Sequence, residues 1–152
     1  MSVAGVSADS PAAEAVQVRS ATLDMNQAAE DAVLTPVEAG AWSHELRAAF
    51  AARIARMNGD DDLSERYRAR AGDIAALADP QAKLAMPELG HVVAFMDKVA
   101  GQTKQVEAGD ITALQEAKVS DADIVRLVEL NAFVSYQVRV IAGLRLLNRS
   151  DR

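Results

Sequence analysis

Residues 120–147 read SDADIVRLVELNAFVSYQVRVIAGLRLL, and the fold class turns on this stretch. Ser120 is a strong N-cap, because its hydroxyl can accept from the unpaired amides of a first helical turn. Asp121 and Asp123 follow, where the positive end of the helix dipole favours carboxylates. Ile124, Leu127, Val128, Leu130, Phe133, Val134, Val138, Ile141, Leu144 and Leu147 then spread over more than the ~100° stripe of a surface helix. One neighbour cannot cover them all, so this helix is expected at the centre of a bundle or at a subunit interface.

Upstream, Thr35-Pro36-Val37-Glu38 has the form of a capping box with proline at the first helical position, so a helix is expected to start there. Trp42, Leu46, Phe50, Ile54 and Met57 recur every three or four residues, an apolar stripe that Asn58-Gly59 ends. Asp62-Leu63-Ser64-Glu65 is a second box. Leu63, Tyr67, Ile74 and Leu77 predict a helix from it to Asp79-Pro80, pairing with the first as a hairpin. Pro87 opens another helix, which carries Leu89, Val92, Val93, Phe95, Met96 and Val99 as far as Gly101. A shorter one follows Asp110, with Ile111 and Leu114. No stretch alternates with the period of a strand, so the expected class is all-α. Residues 1–10 are small and polar and read as a tail. Ser10-Pro11 can open a helix, but Ala15, Val16, Val18 and Leu23 give it modest apolar surface. Residues 1–33 are therefore expected as a flexible or loosely docked N-terminal arm, and residues 34–149 as the helical domain.

With 152 residues, half of them apolar, the chain can bury ~70% of its unfolded surface in one domain. It holds 22 acidic and 16 basic residues, a net charge of −6, which opposes attraction to nucleic acid or an anionic membrane. It holds no cysteine, which excludes disulfides, thiolate metal sites and thiol redox chemistry. Arg126, Glu129, Gln137, Arg139 and Arg145 interrupt the C-terminal apolar run, so no membrane span is expected. No basic segment followed by an apolar core opens the chain, so no secretory signal is expected either, and the expected location is cytoplasmic.

Three segments carry a resemblance: LTPVEAGAWSHELRAAFAARIARMNGDDDLSERYRARA at 34–71, VEAGDITALQEAKVSDADIV at 106–125, and NAFVSYQVRVIAGLRLL at 131–147. Their order resembles the AhpD-like superfamily, which includes carboxymuconolactone decarboxylases and peroxidase-related proteins, and the last segment looks like the closing helix of its cysteine-poor branch. The resemblance implies an all-α fold that assembles into dimers, trimers or hexamers. In thiol-active members a C-x-x-C pair opens the helix after an Asn-Gly-like turn, with a histidine one turn later and a glutamate on the preceding helix. A helix N-terminus lowers a thiol pKa there, and the carboxylate and imidazole relay its proton. The matching positions here are Asp60 and Leu63 for the cysteines, Arg66 or Tyr67 for the histidine, and Ala48 for the glutamate. All are changed, so the thiol chemistry cannot operate at this degenerate site.

The remaining candidates each carry two readings. His91 stands three residues from Glu88, on one face of the expected Pro87 helix, where a carboxylate-paired imidazole could act as general base. The plainer reading is a surface or subunit contact, and the same holds for His44 beside Trp42. No H-E-x-x-H or similar spacing gathers three metal ligands, so neither metal nor cofactor is expected. Arg126, Glu129, Asn131, Ser135, Gln137 and Arg139 are polar groups set among apolar ones. They could line a small cavity in which Arg139 clamps a small carboxylate ligand, or pair within an oligomer. Arg66, Arg68 and Arg70 read as a solvated face. Three functions remain open: a non-redox oligomeric module, structural or small-ligand-binding; a thiol-independent acid/base enzyme of the carboxymuconolactone decarboxylase type, using His91, Glu88, Arg139 and Glu129; and a partner subunit for a cysteine-bearing relative. The apolar surface predicts at least a homodimer.

Overall fold

The structure, a computed structural model, describes residues 6, 11–83 and 85–149. These form helices α1 (Pro11–Val18), α2 (Ser20–Leu34), α3 (His44–Met57), α4 (Asp61–Arg68), α5 (Gly90–Gly101), α6 (Ala108–Glu116) and α7 (Asp121–Arg149), joined in places by 3₁₀ turns. Among the described residues there is no strand, so the protein is all-α. The tail, apart from Val6, lies outside the described residues.

The helix enclosed on every side is α3, while α7 keeps one open face. All residues from Leu46 to Ala55 are buried, beneath α2, α4, α5, α7 and the 3₁₀ helix Gly72–Ala78. Ala48, Ala49, Ala51, Ala52 and Ala55 let the neighbouring helices approach closely, and Phe50 fills the centre, edge-on to Trp42 at 6.4 Å. The two arginines of α3 are enclosed with the alanines. Arg53 forms a two-pronged ion pair with Asp97 of α5 at 2.6 and 2.8 Å and also donates to the Leu77 and Asp79 carbonyls. It thereby ties the 3₁₀ helix and α5 to the core.

α7 lies against α1, α2, α3, α5 and α6. Ser120 accepts from the Asp123 amide at 3.2 Å, the expected N-cap. By length and composition this helix, over Asp121–Asn148, could cross a membrane. Its inner face is packed in the bundle: Ile124, Leu127, Leu130, Val134 and Ile141 are buried, and Asn131 donates to the Met96 carbonyl of α5.

Several helix ends differ from expectation. Thr35-Pro36 does not open a helix: Thr35 closes α2, its amide and hydroxyl both donating to the Asp31 carbonyl. The cap of α3 is Ser43, which accepts from the Leu46 amide. α4 begins two residues earlier than expected, with Asp60 accepting from the Leu63 amide, and ends at Arg68. The chain to Asp79 continues as the 3₁₀ helix instead of α-helix. α6 is capped by Glu107 and Asp110 reciprocally, so Asp110 lies inside its first turn. The segment 1–33 holds α1 and nearly all of α2, which docks on α7 and α3 with Leu34 in the core. The expected boundary at residue 34 therefore falls within a helix.

Gly40 turns the α2–α3 loop with φ +63°, and a Cβ there would collide with the Asp123 carboxylate and the Arg126 guanidinium. Burial draws the Asp123 carboxyl up, but hydrogen bonds from Ser120, the Ala41 amide and Arg126 outweigh it and hold the pKa below the usual range. The unfolded chain thus binds this proton more tightly than the folded one, so the carboxylate stabilises above the ordinary aspartate pKa of ~3.9 and ceases to as pH falls through the lowered value. Denaturant midpoints of the wild type and Asp123→Ala are expected to differ clearly at neutral pH and to converge in strong acid. A constant gap would refute this account.

Candidate functional site

Glu30, on α2, is 3% exposed, and three helices converge on its carboxylate. Arg66 of α4 and Arg70, in the turn that follows it, donate to Oε1 at 2.7 and 3.4 Å, and the Gln137 amide of α7 donates to Oε2 at 2.8 Å. The Tyr67 hydroxyl donates to Gln137 Oε1 at 2.5 Å, which fixes the amide so that its NH₂ faces Glu30. Burial first, and the Glu30 charge second, push the Tyr67 phenol well above its ordinary pKa, so it stays protonated as a donor. The Arg66 guanidinium lies 5.5 Å from the Tyr67 ring. Asp60 positions α4, so the cap at one end of that helix places the arginines at the other.

Beside this cluster is a cavity of about 350 Å³ lined by residues of α2, α4 and α7, Glu30, Arg66 and Gln137 among them. A smaller one of about 80 Å³ lies between Arg53 and the 3₁₀ helix. The larger offers hydrogen-bonding groups, fixed charges and apolar wall together, with the buried carboxylate oriented by donors on three sides.

The structure does not bring His91, Glu88, Arg139 and Glu129 together. All four are exposed, the first two at the start of α5 and its preceding turn, the last two on α7, and none lines either cavity. Arg139 donates to its own helix at the Ser135 carbonyl, so the expected carboxylate clamp is not assembled. His44 contacts the Pro36 carbonyl at 3.0 Å on the surface. Of the polar groups on α7, Gln137 alone reaches the Glu30 cluster. Arg126 pairs with Asp123 and Asn131 links α7 to α5.

Arg66, Arg68 and Arg70 are all exposed, as expected of a solvated face, but Arg66 and Arg70 also reach Glu30 from it, while Arg68 pairs with Glu65. Asp60 and Leu63 stand at the start of α4, just after the Gly59 turn, with Leu63 wholly buried. Ala48 is buried in α3. Among the described residues no three His, Cys, Asp or Glu side chains are grouped to hold a metal ion. Glu30 escaped the sequence reading because its partners lie 36, 40 and 107 residues away, and a glutamate on a weakly amphipathic helix gives no local sign of burial.

No protein-family model, curated protein or solved structure matches the chain.

Proposed function

We propose that the chain is an AhpD-like, carboxymuconolactone decarboxylase-like module without thiol redox chemistry, working as a homo-oligomer joined through the outer face of α7. What supports the kinship is the start of α4, where Asp60 and Leu63 follow the Gly59 turn as the thiol pair does in the family. Here one caps the helix and the other fills the core.

The observation that carries the oligomer is the open face of α7. Val125 and Leu146 are 55% and 64% exposed, and Val128, Tyr136 and Leu147 are exposed with them. Over a helix about 40 Å long this is a continuous apolar strip, interrupted between residues 125 and 147 by two exposed charges, Glu129 and Arg139. They lie five residues either side of Val134. A second copy packed antiparallel about a two-fold at that level sets the acid of each helix level with the base of the other, an isologous contact. Lipid would leave both charges desolvated and unpaired, so a second copy is the occupant that fits.

Sedimentation of the purified chain at micromolar concentration is expected to show a dimer or larger. Glu129→Arg and Arg139→Glu should each weaken association by about tenfold or more, and the double reversal should restore it. A monomeric wild type, or single reversals without effect, would overturn the assembly. The purified chain should also consume no hydroperoxide beyond a boiled control, and heat-labile consumption would overturn the non-redox reading.

A further inference from the structure

The cavity between α2, α4 and α7 has a use that the oligomer does not supply. Its ~350 Å³ falls within the range that accepts a small organic ligand, about 300–1,000 Å³. Leu23, Val140, Ile141 and Leu144 form an apolar wall, and the fixed charges of the lining are Asp24, Glu30 and Arg66, an excess of one negative charge. Arg66 is already committed to Glu30 at 2.7 Å. The Glu30 oxygens are unequally used: Oε1 accepts both arginines, whereas Oε2 accepts Gln137 alone. A carboxylate oxygen has two lone-pair directions, so Oε2 keeps one acceptor position. The Tyr136 hydroxyl donates to Asn26 Oδ1, and both residues line the cavity. A ligand that joins a donating cation to an apolar body would meet the excess negative charge, the open Oε2 position and the apolar wall together.

We propose that this cavity binds a small amphipathic amine, its ammonium donating to Glu30 Oε2 and to the Asp24 carboxylate while its hydrocarbon body lies on Leu23, Val140, Ile141 and Leu144. A ligand carboxylate beside Oε2 meets the like charges of Glu30 and Asp24, and an alcohol offers a single neutral donor. The inference rests on the cavity itself and not on the kinship; of the lining, Tyr136 also belongs to the outer face of α7.

The test uses three probes with one body and three heads: hexylamine, protonated at neutral pH, hexan-1-ol and hexanoate. Each is titrated into the full chain while backbone amide resonances are followed by NMR. Hexylamine is expected to shift amides of α2 and α7 and to bind about tenfold more tightly than either analogue, the usual margin of a charge-assisted hydrogen bond over a neutral one. Asp24→Asn, at an exposed position and so compatible with the fold, should remove most of that preference. Glu30→Gln should remove it too. Should Glu30→Gln prove too unstable to assay, Asp24→Asn and Leu144→Trp still decide the matter. Leu144→Trp fills the apolar end and should abolish binding of all three probes, which separates the cavity from general attraction of cations to an acidic protein. Equal affinity for the three heads, tighter binding of hexanoate, no binding, or binding that survives Leu144→Trp would each overturn the proposal.

Discussion

Replacing Arg47 by methionine is expected to destabilise the domain by about 3 kcal/mol and to expose Trp42 to water. Arg47 is 2% exposed and, among the described residues, forms no ion pair with a carboxylate. Instead its guanidinium donates to three carbonyls: Nε to Trp42 at 3.0 Å, Nη1 to Val33 at 2.9 Å and Nη2 to Ala39 at 2.7 Å. One rigid fork therefore joins the last turn of α2, the loop and the start of α3. Methionine keeps the hydrocarbon stem but leaves these carbonyls without a donor, and an unsatisfied buried polar group costs about 1–3 kcal/mol. Relief of the arginine's own desolvation offsets part of the sum. For a domain of this size the loss corresponds to roughly 10 °C in Tm. Lysine cannot reproduce a planar fork aimed at three acceptors, so Arg47→Lys should fall between the wild type and methionine. Trp42 is the single tryptophan of the chain and its indole donates to the Asp123 carbonyl. Native-state fluorescence of Arg47→Met should therefore shift to the red before global unfolding begins. A stability change below 0.5 kcal/mol, taken as the ordinary surface level, or an unshifted spectrum would refute this role.

The same arginine explains what could and could not be read from residues alone. The start of α7 was legible, because Ser120 and its two aspartates are local signals that the structure uses locally. So was the close of α3 at Asn58-Gly59: Gly59 adopts φ +80° and its amide donates to the Arg56 carbonyl. Thr35-Pro36-Val37-Glu38 carries an equally good local signal and does not open a helix. Arg47 ties down the carbonyls on either side of it, at Val33, Ala39 and Trp42, and Pro36 serves as the stop that follows α2.

α7, expected at the centre or at an interface, packs its inner face against five helices and leaves its outer face open, but it is not the most enclosed helix. α3 reads as half polar because of its arginines, yet it is the enclosed helix, its charges satisfied by carbonyls and by Asp97. α7 reads as more apolar and is left with an open face. The Glu30 cluster was the least legible feature, since four of its members are ordinary surface residue types made special by contacts across the chain. Sequence periodicity reports burial only where side chains are apolar. It is silent where a buried charge is matched from a distant helix.

Asp60 supplies the second large effect, and it bears on the position where the family resemblance sets a thiol. Asp60 is buried, caps α4 through the Leu63 amide, and accepts from Arg145 of α7 at 2.9 and 3.1 Å. Removing a cap costs about 1 kcal/mol. Breaking a buried pair by deleting one partner costs about 3–5 kcal/mol, but the Arg145 side chain is 31% exposed and also holds Asp62, which moderates the loss. Asp60→Ala is therefore expected to destabilise by about 2–3 kcal/mol. Asp60→Asn keeps an acceptor for the Leu63 amide and loses only the charge, so it should cost roughly half as much. A double-mutant cycle with Arg145→Met should show a coupling of about 1–2 kcal/mol, separating the ion pair from the cap. Because α4 also carries Arg66 and leads directly into Arg70, Asp60→Ala should loosen the Glu30 cluster as well, seen as faster amide exchange around Gln137. If Asp60→Ala were as stable as the wild type, the residue would have no structural task at the start of α4.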